Sequence, residues 1–190
     1  MNVILVHGSF GKPFENWFPW LENKLSGTNE MECIIPTFPT PDKQEFVYWE
    51  ELLNYYHKIG KINDNSIIIG HSCGSVFAAK YLTKHKIKVK ALITVSGYNN
   101  FLGGDAFMDS LNKSFYDEDK NLSSIVNLVP NRISYISDND PFIPLDILNH
   151  FAEIIQAEKI NIPNGGHFNS RAGFDKFEEL YNEIDKILSL

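Results

Sequence analysis

Ser66-Ile67-Ile68-Ile69-Gly70-His71-Ser72-Cys73-Gly74-Ser75-Val76-Phe77-Ala78-Ala79-Lys80-Tyr81-Leu82 reads as a short apolar strand, a tight turn centred on a serine, and a helix. A G-x-S-x-G string alone arises by chance in roughly one chain in twenty of this size, so the flanking strand and helix carry the reading. In this setting the serine of a nucleophile elbow occupies a strained turn that turns its hydroxyl outward. The glycines on either side let the incoming strand and outgoing helix pass closely. The turn also places backbone N–H groups at a helix N-terminus, where a developing negative charge is favoured.

Working outward, short apolar runs alternate with amphipathic segments, the pattern of a parallel sheet covered on both faces. Strands are expected at Asn2–Val6, Met31–Ile35, Ser66–Ile69, Val89–Val95, Ile133–Ile136 and Glu158–Ile162. Helices are expected at Trp17–Leu25, with Pro19 tolerated in the first turn, and at Val47–Ile59, Ile143–Ala157 and Phe174–Leu188. The fold class is therefore α/β, with about six parallel strands. Residues 97–130 interrupt the rhythm with a long connection rich in aromatics, among them Phe101, Phe107 and Phe115. It reads either as a helix-and-loop connection packed on the core or as a short cap over the carboxyl ends of the strands, where open parallel sheets bind ligands.

With 190 residues, 43% hydrophobic content and no low-complexity tract, the chain is expected to form one domain over residues 1–190. A formal net charge of −7 argues against nucleic acid or an anionic membrane as partner. The basic run Lys84, Lys86, Lys88 and Lys90 reads as a solvated helix end and the start of a strand. Two cysteines, Cys33 and Cys73, make no disulfide framework, and the N-terminus runs directly into a strand without a signal-like flank. A reduced, cytoplasmic location is the expectation.

A serine hydroxyl needs a base, and the base needs an acid to orient it. Of six histidines, His167 in Asn164-Gly165-Gly166-His167-Phe168 follows the last strand, on the sheet edge where Ser72 lies. His7 ends the first strand, His71 adjoins the serine but faces away from it, and His57, His85 and His150 fall on helices. For the acid, Asp138 and Asp140 compete in Ser137-Asp138-Asn139-Asp140-Pro141. Asp140 is favoured because Pro141 restrains it in an extended conformation, whereas Asp138 suits a turn or cap. The chain order Ser, Asp, His is the one that hydrolases built on a nucleophile elbow use. His7-Gly8-Ser9-Phe10-Gly11, after the first strand, is expected to add the N–H of Ser9, with Phe10, to that of Cys73 as an oxyanion hole. Phe10, Trp17, Phe38, Phe101 and Phe142 are candidate pocket linings for a small apolar acyl group, and equally candidate core. The chemistry calls for no metal and no cofactor.

Together HGSFG (7–11), NWFPWL (16–21), FPTP (38–41), the helix around Trp49, GHSCGS (70–75), SDNDPFIP (137–144) and GGHF (165–168) resemble the small serine hydrolases related to retinoblastoma-binding protein 9, in the α/β-hydrolase superfamily. The resemblance spans nearly the whole chain. It implies a compact parallel sheet lacking the superfamily's first two strands, a short cap at 97–130, and catalysis by Ser72, Asp140 and His167. The triad and the two oxyanion loops point to acyl transfer from a small-molecule substrate and leave ester, thioester and amide open, with a binding-only role on the same fold as the alternative. The Leu-x-Cys-x-Glu motif associated with the group's named member is absent, since the comparable stretch reads Met31-Glu32-Cys33-Ile34-Ile35. Binding to a retinoblastoma-type partner is therefore not carried over.

Overall fold

The computed structural model describes residues 1–27 and 31–189. Six strands, β1 (Asn2–Val6), β2 (Glu32–Ile34), β3 (Ile67–His71), β4 (Ala91–Val95), β5 (Asn131–Ile136) and β6 (Glu158–Asn161), form one sheet in the order β2-β1-β3-β4-β5-β6. Every neighbouring pair is parallel. Among the described residues, seven α-helices accompany them: α1 (Phe18–Ser26), α2 (Phe46–Lys58), α3 (Cys73–His85), α4 (Ala106–Asn112), α5 (Asp119–Ser123), α6 (Leu145–Ile154) and α7 (Glu178–Leu188).

The apolar strands serve two cores because successive side chains point to opposite faces. Val3, Leu5, Ile67, Ile69, Ala91, Ile93 and Tyr135 pack on one side with Phe18 and Leu21 of α1 and Leu180 and Ile184 of α7. Ile4, Val6, Ile68 and Leu92 face the other side, against Trp49 of α2, Phe77 of α3 and Phe151 of α6. The division follows from handedness. Right-handed crossovers place a helix on opposite faces according to the direction of travel along the sheet, and the chain reverses that direction after β2. The reversal leaves a switch point between β1 and β3, whose carboxyl ends carry His7 and Ser72.

Several boundaries differ from the sequence expectation, each for a local reason. β3 runs on to His71, because Gly70 and His71 pair with Thr94 and Val95 of β4. β2 keeps only three residues at the sheet edge, while β5 begins at Asn131 rather than Ile133. α6 starts after Pro144, which has no N–H and biases Ile143 away from helical backbone. α7 begins four residues late: Phe177 is extended at φ −140° and Gly173 is left-handed at φ 87°. Phe174 and Phe177 nonetheless close on the Phe168 ring at 5.0 and 5.4 Å, so burial of the rings is achieved from irregular backbone.

Residues 97–130 contain α4, α5 and a short 3₁₀ turn at Ser124–Asn127, with Tyr98, Phe115, Leu122 and Ile125 buried in the α2/α3 core. Of the two readings of this segment, packing on the core therefore describes its inner face. Among the described residues, no helix is long and apolar enough to cross a membrane.

Candidate active site

Ser72 sits between β3 and α3 at φ 56°, ψ −132°, a backbone conformation few non-glycine residues adopt. The ladder and the helix hold it there: its amide donates to the Val95 carbonyl at 2.8 Å, and its carbonyl accepts from the Ser75 amide at 3.0 Å. A Cβ on Gly74 would lie 2.5 Å from the carbonyl oxygens of Val6 and His7, so only glycine permits β1 and α3 to approach this closely. Gly8 abuts Ser72 in the same way, since a Cβ there would stand 2.7 Å from Ser72 Cβ and 3.3 Å from its Oγ. The loop after β1 is thus laid directly against the serine.

The loops after β5 and β6 are laced together. Asp138 Oδ1 accepts from the Asn164 amide at 2.9 Å, and Asn139 Oδ1 accepts from the Gly166 amide at 2.7 Å. Between these struts His167 Nδ1 donates to Asp140 Oδ2 at 2.8 Å. The same oxygen accepts from Ser96 Oγ at 2.8 Å, while Oδ1 accepts from the amides of Phe142 and Ile143. Burial opposes ionisation of Asp140, but the hydrogen bonds from His167, Phe142 and Ser96 prevail and hold its carboxyl below the usual range. Of the two competing aspartates, Asp140 reaches His167 and Asp138 braces the loop that presents it.

Three groups to which sequence reasoning gives no part in holding the histidine and aspartate complete this frame. His71 packs against Trp17 and Phe18, its Nε2 donates to the His167 carbonyl at 2.9 Å, and its ring stands 4.9 Å from the His167 ring. Trp17 Nε1 donates to the next carbonyl, that of Phe168, at 3.0 Å. Two successive carbonyls of the histidine loop are therefore pinned. Ser96, the residue after β4, is the third. His71 and Ser96 carry the signal of a position at a strand end, which composition and periodicity do not weigh, whereas Trp17 directly precedes α1 and carries none.

The candidate pocket residues separate. Trp17 is 0% and Phe38 1% exposed, so both belong to the core, where Trp17 braces the histidine loop and Phe38 packs on Trp49. Phe10, Phe101 and Phe142 are 47%, 56% and 55% exposed, and the Phe142 ring stands 5.0 Å from that of His167. Among the expected oxyanion donors, Phe10 is a correction: its amide donates to Thr40 Oγ1 at 2.7 Å and is already engaged. Cys73 heads α3, where the first N–H groups have no partner within the helix. Its own thiol is pushed up to about 11 by burial and stays neutral beside the serine. Among the described residues, no three His, Cys, Asp or Glu side chains are grouped to hold a metal ion.

Burial also governs His7 and His71. His7 Nε2 accepts from the Phe38 amide at 3.1 Å, so its proton lies on Nδ1, which donates to the Gly8 carbonyl at 2.8 Å. Desolvation lowers the His7 pKa, and burial followed by the neighbouring His167 lowers that of His71 to about 3. Below pH 6.5 the unfolded chain takes up protons at both positions that the folded chain refuses, so stability falls as pH drops from 6.5 towards 3. The slope is at most about 1.4 kcal/mol per pH unit for each histidine. Loss of the Asp140 carboxylate acts only at lower pH, since its folded pKa is depressed. Urea unfolding at pH 7, 6 and 5 is expected to show this decline, and His71→Gln, which keeps a donor for the His167 carbonyl, is expected to flatten it. Equal slopes in the two proteins would refute the assignment to His71.

The chain is 25% identical over 190 residues to serine hydrolase RBBP9 of Rattus norvegicus, across 99% of this chain and 96% of that protein. YdeN of Bacillus subtilis (strain 168) is 23% identical over 190 residues, with the same coverage. The solved structure of the B. subtilis ydeN gene product superposes with a TM-score of 0.85 at 22% identity, covering 100% of this chain and 99% of that one. A more distant fold match is the meta-cleavage product hydrolase CumD of Pseudomonas fluorescens IP01, with a TM-score of 0.73 at 14% identity over 98% and 90% of the two chains. The serine hydrolase family model matches residues 3–186, from the first strand to the last helix, and this chain belongs to that family.

Proposed function

We propose that the chain transfers the acyl group of a small carboxylic ester or related substrate to water through a covalent intermediate on Ser72. The observation that carries this is the His167–Asp140 pair, joined at 2.8 Å on the sheet edge that also presents the strained Ser72 elbow. An ionised Asp140 keeps the imidazole proton on Nδ1 and leaves Nε2 free to accept the Ser72 proton. The serine oxygen attacks the carbonyl, and the amides of Cys73 and Ser9 receive the charge on its oxygen. His167 returns the proton to the leaving group, then activates the water that releases the acid. Asp140 stabilises the imidazolium at each stage.

The exposed rings of Phe10, Phe101 and Phe142 suit a small apolar acyl group, and these steps require neither metal nor cofactor. A fluorophosphonate probe is expected to label the protein at one site, mapped by mass spectrometry to Ser72. p-Nitrophenyl acetate and butyrate are expected to turn over faster than the dodecanoate and faster than aminoacyl p-nitroanilides. A protein that neither takes the probe nor hydrolyses any of these esters would refute the catalytic reading, and a preference for the anilides would redirect it to amides.

A further inference from the structure

Behind the loop that follows β1 lies a chain of amide and hydroxyl groups, buried at Gln44 and Asn112, that joins three distant segments. The Phe10 amide donates to Thr40 Oγ1, and Thr40 Oγ1 donates to Gln44 Oε1. Gln44 Nε2 donates to Ser9 Oγ at 2.7 Å and to Asn112 Oδ1 at 2.7 Å. Ser9 Oγ donates to the same Asn112 oxygen at 2.9 Å, and Asn112 Nδ2 donates to Tyr98 OH at 3.1 Å. Gln44 and Asn112 are both buried. Two side-chain amides out of water meet their hydrogen-bonding needs only while the 7–11 loop, the 40–44 loop and the end of α4 stay in register.

We infer that Gln44 and Asn112 are positioning residues that hold the Ser9 amide in place to receive the oxyanion, which makes α4 a fixed part of the catalytic apparatus. The inference rests on the acyl-transfer reading above. Gln44 and Asn112 grip Ser9 through its hydroxyl from two sides, while Thr40 fixes the following peptide through the Phe10 amide. With its neighbours so tied, the 8–11 backbone has one setting, and Gly8 lies against Ser72 in that setting. A segment anchored in this way cannot swing clear of Ser72 without breaking the bonds of the Ser9 hydroxyl to Gln44 and Asn112 and that of the Phe10 amide to Thr40.

Gln44→Met and Asn112→Leu keep approximate side-chain size and remove the polar links. With p-nitrophenyl butyrate each is expected to lower kcat about 10- to 100-fold, the effect of a misplaced rather than a deleted donor, with KM changed less than about threefold. The double variant should lose little more than the worse single one, because both act through Ser9. A boronic acid, which forms a tetrahedral adduct on a nucleophilic serine, should lose affinity in step with kcat, a response that structural loosening alone would not produce. Circular dichroism and melting curves establish that each variant is folded at the assay temperature. If either is not, Ser9→Ala, which deletes a single oxygen, reads the same link and is expected to lower kcat at least fivefold. Folded variants with wild-type kcat and boronate affinity, or with only KM altered, would overturn the inference. Failure of the wild-type protein to take a fluorophosphonate would instead overturn the reading of Ser72, so the two failures are distinguishable.

Discussion

Ser72→Ala is expected to abolish fluorophosphonate labelling and to reduce ester turnover by about 10⁶-fold, the loss seen when a hydrolytic serine that works together with its base is removed. No nearby hydroxyl can substitute. Ser75 Oγ is buried and donates to the Gly70 carbonyl at 2.8 Å, and Ser9 Oγ is committed to Asn112 while accepting from Gln44. The Cys73 thiol, held neutral by burial, is not a nucleophile either. Alanine retains the Cβ that Gly8 packs beside, and the φ of 56° is held by the Val95 and Ser75 hydrogen bonds rather than by the hydroxyl. The variant should therefore fold and melt like wild type. Ser72→Gly, in contrast, relieves the left-handed strain and should gain stability, up to about 1 kcal/mol, as it loses activity. Labelling that survives in Ser72→Ala, measured by gel fluorescence and intact mass, would remove Ser72 from the reaction.

The parts of this arrangement that were legible in the sequence share a physical reason. Unbroken apolar runs such as Val3-Ile4-Leu5-Val6 and Ile67-Ile68-Ile69 supply both faces of a sheet with core, which is what a parallel sheet covered on both sides requires. The elbow and the Asp140 and His167 loops stand out because glycine, proline and acidic residues cluster directly after apolar runs. What sequence did not disclose depends on which chain segments meet. Asn112 ends a short helix and Gln44 precedes another, and neither position advertises a partner about 70 residues away in the chain. His71 adjoins the serine in the chain, but its bond to the His167 carbonyl crosses 96 residues. Trp17 and Phe38 show the opposite ambiguity. An aromatic after a strand suits a pocket or a core equally by composition, and only packing decides. Sequence offers the Phe10 amide as a free donor, and only the fold brings Thr40 Oγ1 to accept from it.

Asp140→Asn is expected to lower kcat by about 10³- to 10⁴-fold with little change in KM, although it replaces one planar side chain by another of nearly the same shape. The reason lies in the four donors around the carboxylate. Oδ1 accepts from the amides of Phe142 and Ile143, and Oδ2 accepts from His167 Nδ1 and Ser96 Oγ. An asparagine must place its NH₂ at one of these two sites. Against the two backbone amides it would set donor against fixed donors, so the oxygen stays there and the NH₂ turns to His167. Nδ1 must then accept, the imidazole proton moves to Nε2, and the nitrogen meant to take the Ser72 proton already carries one. Ser96 Oγ, a rotor, can turn to accept from the same NH₂, so the fold should tolerate the change. Stability separates the two proteins only where the wild-type carboxyl is charged: its depressed pKa contributes above the unfolded value near 3.8, and the difference fades as pH falls through the folded value. Asp138→Asn is the matched comparison, because Asp138 accepts one amide at the base of the histidine loop and does not touch the imidazole. It should cost less than about tenfold in kcat. Steady-state rates with p-nitrophenyl butyrate for both variants, read beside their fluorophosphonate labelling rates, decide the point. Equal losses at 138 and 140, or an Asp140→Asn enzyme within tenfold of wild type, would mean that the carboxylate orients the loop and not the proton.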